Sequence, residues 1–168
     1  MAEKPIVIYG DPVLREKAAP VENIDRETKI LVSEMIAALK KANGLGLAAP
    51  QVGVSKCIFI VDLSPIDLTE SVKVFINPEI VETSGEVVLE EGCLSFPGIY
   101  QKISRPEKVK VKATDVEGRN FEMEASGMLA RAILHEYDHL EGKLFIDYFS
   151  PLSRALVQGK LKKMAAAS

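Results

Sequence analysis

The sequence predicts an α+β fold, on three observations. Two stretches, one near residue 30 and one after Gly127, place apolar residues at helical spacing. Between them, residues 72–124 favour strands, including the alternation KVKVKA, whose period of two marks a strand wet on one face. Strands and helices are therefore segregated along the chain rather than alternating, which argues against a doubly wound sheet.

The first element is a short strand expected at residues 5–9 within otherwise irregular chain. Asp25 then reads as an N-cap, with Glu27 in the first turn. Ile30, Leu31, Met35, Ile36 and Leu39 follow at helical spacing and read as core packing. Asn43-Gly44 ends that helix. The glycine-rich GLGLAAPQVG comes next, then a strand over 57–61. Residues 115–118 read as the turn of a hairpin. The stretch MLARAILHEYDHLEG returns to helical spacing, with Gly142 as its cap, and a last helix is expected over 152–164.

Length and composition bound the rest. The 168 residues suit one domain, 1–168, with enough buried surface to need no disulfide. A net charge of −3 argues against a specific nucleic-acid partner. No apolar run is long enough to span a bilayer, and the charged, Gly- and Pro-broken start lacks the core of a secretion signal. A cytoplasmic protein without a membrane partner is expected, with Cys57 and Cys93 as free thiols or ligands.

The chemistry concentrates at residues 135–139, HEYDH, which hold both histidines of the chain. On a helix, His135 and His139 share one face, their Cβ atoms about 5–6 Å apart, and can aim at one point. Glu136 is turned about 100° from His135, within reach of a bound ion without being a ligand. This is the H-E-x-x-H arrangement: two imidazoles for a divalent cation and a carboxylate for a proton. A catalytic site needs a third protein ligand. Residue 145 is Phe, so the downstream histidine of some zinc peptidases is missing. Cys93, after the permissive Gly92, is the stronger candidate, a buried small apolar residue being its competing reading. Cys57, inside an apolar strand, reads as such a residue. The acidic pairs Glu90-Glu91 and Asp138-Glu141 read as solvated faces. A supporting contact to a ligand or arginine is the alternative for Glu91, and orientation of a loop or a cation for Asp138.

Three segments, GLGLAAPQ (44–51), EGCLS (91–95) and HEYDHLEG (135–142), in this order and at these separations, resemble the three signature motifs of the peptide deformylases. The likeness extends over nearly the whole chain, from GDPVLREKA through Phe149. It implies antiparallel β-sheets surrounding a central α-helix that carries the H-E-x-x-H motif. It implies Cys93, His135 and His139 as metal ligands and Glu136 as general base and acid. Gln51 and the backbone N–H of Leu94 would polarise the formyl oxygen. Leu45, Gly46 and Gly92 would offer backbone groups to an extended peptide, while Leu45, Leu89, Met128, Ala132 and the ring of His135 line a methionine pocket. The implied cofactor is one divalent ion, Fe2+, with Ni2+, Co2+ or Zn2+ able to replace it. The implied activity is hydrolysis of the formyl group from N-formyl-Met nascent peptides, with formate released. Leu134 stands where the family often has Gln, away from the chemistry. Arg131 stands where many relatives carry an apolar residue, and its stem is expected to pack near the methionine pocket while the guanidinium reaches solvent. The basic GKLKKM segment reads as a solvated end, with a transient ribosome contact as the other reading.

Two other classes compete. A peptidase cutting internal bonds lacks its downstream ligand here. A structural zinc site would need four protein ligands, with Cys57 the only other thiol.

Overall fold

The computed structural model describes residues 4–167; residues 1–3 and 168 of the expected domain lie outside the described residues. Helix α1 (Arg26–Ala42) begins where Asp25 accepts a hydrogen bond from the Thr28 N–H at 2.9 Å and ends at Asn43, in the left-handed region with φ 55°. Its inner face is Leu31, Val32, Met35, Ala38 and Leu39; Ile30, expected in the stripe, is largely outside it.

Five antiparallel strands follow the order β1-β2-β3-β6-β7: β1 (Gly46–Ala48), β2 (Ile58–Val61), β3 (Lys73–Ser84), β6 (Lys108–Thr114) and β7 (Asn120–Ser126). Strand β2 is buried on both faces. Ile58 and Ile60 pack toward α1, while Phe59 and Val61 join the core beneath α2 (Gly127–Leu140). In β6 the alternation holds as read: Val109, Val111 and Ala113 point inward and the lysines outward. A separate hairpin, β4 (Val87–Gly92) with β5 (Tyr100–Arg105), lies outside that sheet. Its Ile103, with Phe96, Ile99 and Phe145, belongs to a third apolar cluster that also takes Leu161 of the last helix, α3 (Pro151–Ala167). Helix α2 thus has the five-stranded sheet on one side and the hairpin on the other, as the resemblance implies.

Two expectations change. Residues 5–9 do not form a ladder strand. Instead the Val7 N–H donates to the Gln51 carbonyl at 2.7 Å and the Tyr9 N–H to that of Ser95 at 2.9 Å, so the segment ties a short 3-10 helix to the turn after β4 rather than pairing with one strand. Helix α3 also runs further than expected, to Ala167. Helix α2 ends at Leu140 with Glu141 as its cap, and Gly142 follows with φ 74°; a Cβ there would stand 2.5 Å from the Arg15 carbonyl oxygen, so both conformation and space require glycine.

Candidate metal centre and active site

His135 and His139 sit one turn apart near the end of α2, 8% and 1% exposed, with ring centroids 5.3 Å apart. Cys93 follows directly after β4, where a turn closed by the Phe96 N–H and the Cys93 carbonyl (2.9 Å) directs it back toward the helix. Its Sγ lies 3.5 Å from His139 Nε2, and the ligand atoms of all three residues lie within 4.8 Å of one another. His135 Nδ1 is engaged with Glu91 Oε1 at 2.9 Å, which leaves Nε2 free to face the cluster. This is the supporting carboxylate that metal-binding histidines usually have. Burial pushes the His139 pKa well below its ordinary value, so its ring is neutral and keeps a lone pair for an ion.

Glu136, on the same turn of α2, is 4% exposed, and burial pushes its pKa up to about 7. It fits against the Cα of Gly46 in β1, with Oε1 buried and without a protein partner. A carboxyl group poised near neutral pH beside the ligand cluster can both accept and return a proton. Gln51, in a short 3-10 helix (Ala49–Val52), is 1% exposed. The Ala48 N–H donates to its Oε1 at 2.9 Å, which fixes the amide orientation. Its Nε2 is thereby turned to Cys93 Sγ (3.6 Å) and Ser95 Oγ (3.2 Å).

A sequence profile described as polypeptide deformylase matches residues 3–155. The peptide deformylase of Thermodesulfovibrio yellowstonii is 48% identical over 96% of this chain and 98% of its own length. The chain belongs to the polypeptide deformylase family. The Clostridium botulinum enzyme of that name is 52% identical over 88% of this chain and 97% of its own. A crystal structure of a peptide deformylase from Legionella pneumophila superposes with a TM-score of 0.91 at 43% identity, covering 99% of this chain and 97% of that one. The chain is accordingly a hydrolase that removes the N-formyl group from newly made polypeptides.

Around Cys93, His135 and Glu136 a cleft of about 500 Å³ is lined also by Leu45, Gly46, Gln51, Gly92, Leu94, Met128 and Ala132. Leu89 shares a face of β4 with Glu91, is 39% exposed and is not among the side chains that line this cleft. Cys57 stays apart from the centre, its Sγ donating to the Ala18 carbonyl at 3.4 Å, so no fourth protein ligand joins the cluster among the described residues.

Arg131 is the larger correction. Its guanidinium does not reach solvent; the residue is 3% exposed and pairs with Glu91. Glu91 likewise leaves the solvated face and is 6% exposed. It accepts from Arg105 (2.5 and 3.0 Å), Arg131 and His135. Burial opposes its charge, but the hydrogen bonds from His135 and Arg105 outweigh that and hold its pKa at about 2. Arg105, which sequence reasoning missed, also donates to Asp138 at 3.0 Å, and the Tyr148 hydroxyl donates to the same oxygen at 2.8 Å. Nothing in the local sequence around Arg105 distinguishes it from the other cations of the region, because its partners lie on α2 and β4.

Proposed function

We propose that Cys93, His135 and His139 hold one divalent metal ion and that Glu136 carries the proton when the formyl group of an initiator N-formylmethionine is hydrolysed to formate. The observation that carries this reading is the convergence of one thiol and two imidazoles beside a buried carboxyl group. The donors fit the group. A soft thiolate with two imidazoles suits Fe2+, Co2+, Ni2+ or Zn2+, and three protein ligands leave a position open for reaction. We take Fe2+ as the physiological ion. Bound there, the ion supplies a Lewis acid that makes a nucleophilic water available near neutral pH.

The chain's own groups do the remaining work. Glu136 takes the proton of the attacking water and delivers it to the departing amine nitrogen. Gln51 Nε2, aimed by the Ala48 contact, and the backbone N–H of Leu94 donate to the formyl oxygen as charge develops on it. Leu45, Met128, Ala132 and the His135 ring receive the methionine side chain. The peptide lies extended between β1 and β4, each of which pairs on only one edge among the described residues, and Leu45, Gly46 and Gly92 supply backbone partners. The whole chain acts as one catalytic domain on nascent peptides in the cytoplasm, with two free thiols suited to a reducing compartment. A transient ribosome contact would use the positive end of α3, where Lys160, Lys162 and Lys163 lie.

The test is formate release from a formyl-Met peptide by protein prepared without oxygen and loaded with Fe2+, beside Glu136→Ala. Release by the parent and its loss in the folded, loaded variant are expected. No release from folded, loaded parent would overturn the reading.

A further inference from the structure

Arg131, His135 and His139 recur every four residues and form one stripe along α2. Each reaches across to the same partner, β4 and the turn after it. His139 meets Cys93, and His135 meets Glu91. Arg131 spans the widest stretch. Its Nη2 donates to the Val87 carbonyl at 2.7 Å, and its Nη1 donates to the Ile103 carbonyl at 3.0 Å and to Glu91. It therefore grips both strands of the hairpin and the carboxylate that holds His135.

The hairpin needs such a grip. It shares no strand pairing with the five-stranded sheet among the described residues, and an isolated two-stranded ribbon is marginal in water. Cys93 is carried on this hairpin, two residues beyond Glu91, whereas both histidines are carried on the helix. The distance between thiol and imidazoles is thus set by how the hairpin docks on α2. Ile99 and Ile103 pack with Phe96, Phe145 and Leu161, none of them on α2, so the register of the hairpin on that helix falls to directed bonds such as those of Arg131.

We propose that Arg131 is a positioning residue of the metal centre, locking the hairpin that bears Cys93 onto the helix that bears His135 and His139. This rests on the assignment of those three residues as ligands. A buried ion pair with no part in ligation would give the same burial, so the test reads the ion rather than the fold alone.

The protein is loaded with Co2+ under nitrogen, the thiolate-to-cobalt absorption band is recorded, and loss of Co2+ to excess chelator is followed for the parent, Arg131→Met and Arg131→Lys. Removing a residue that orients ligands typically costs 10- to 100-fold in metal affinity, and about that change is expected for Arg131→Met. Arg131→Lys should fall between, because one ammonium cannot span two carbonyls and a carboxylate in the fixed fork of an arginine. A folded Arg131→Met that melts earlier but keeps the parent's band and retention overturns the proposal. If Arg131→Met does not fold, Arg131→Lys decides: faster loss supports the proposal and parent-like loss overturns it. Absence of a thiolate band in the parent would instead overturn the ligand assignment, and this inference with it.

Discussion

The Glu136 carboxylate rests on the bare Cα of Gly46: a Cβ built on that glycine would stand 2.6 Å from Oε2 and 2.9 Å from Cγ. Gly46 of β1 is paired with Val61 of β2, so the backbone has little room to retreat. Gly46→Ala should therefore move the carboxylate rather than the strand. A displacement near 1 Å at a reacting group costs on the order of 100-fold. A drop of that size in kcat/KM is expected with metal content and far-ultraviolet dichroism unchanged; parent-like kinetics would mean that the carboxylate relaxes freely.

Gln51 works at both ends of its amide. Gln51→Leu removes the donor facing Cys93 and strands the Ala48 N–H. The first loss should lower kcat by about 100- to 1,000-fold, as for other oxyanion donors. The second should lower stability by about 1–3 kcal/mol. Steady-state kinetics and urea unfolding of the metal-loaded variant separate the two, and a change in stability alone would remove Gln51 from the chemistry.

Glu91 is the one carboxylate that Arg105, Arg131 and His135 share. Glu91→Ala leaves two buried cations facing one another, and breaking a buried pair this way costs about 3–5 kcal/mol. Because Arg131 acts partly through Glu91, the double variant Glu91→Ala/Arg131→Met should lose less than the sum of the single losses. Denaturant midpoints of the four proteins test this, and simple additivity would separate the two residues.

The ion pair of Arg15 with Asp147 (2.7 Å) fastens the N-terminal turn, Pro12–Arg15, to the segment after α2. Burial works against the Asp147 charge, but hydrogen bonds from Arg15 and the Leu144 N–H overcome it and hold its pKa below the ordinary carboxylate range. A group whose pKa is lowered on folding stabilises above its unfolded value, about 4, and loses that contribution as pH falls through the lower folded value. Asp147→Asn should then flatten the acid limb of the stability curve. At neutral pH the loss should stay within about 1 kcal/mol, because the pair is partly exposed. Urea midpoints from neutral pH down to about pH 3 check the shape; an unchanged acid limb would rule out Asp147 as its source.

Local physics made much of the fold readable. Asp25 and Asn43 bound α1 because capping is decided within a few residues, and the lysine alternation of β6 shows its wet face directly. Contacts between distant segments were not readable in the same way. The segment at 5–9 has strand-like residues, yet the N–H groups of Val7 and Tyr9 go to Gln51 in a 3-10 helix and Ser95 in a turn.

What the sequence by itself determined was the helical pair His135 and His139, the carboxylate beside them and, through the three motifs, the kind of centre they belong to. Spacing along one helix is local geometry and survives without knowledge of neighbours. What only the tertiary structure decided was which charges are buried. Arg131, Glu91, Arg105 and Asp138 look in sequence like ordinary surface ions, and they become one network because β4, β5 and α2 pack together around them. A charge can leave water only where partners from other elements meet it, and a linear pattern does not state which elements those are.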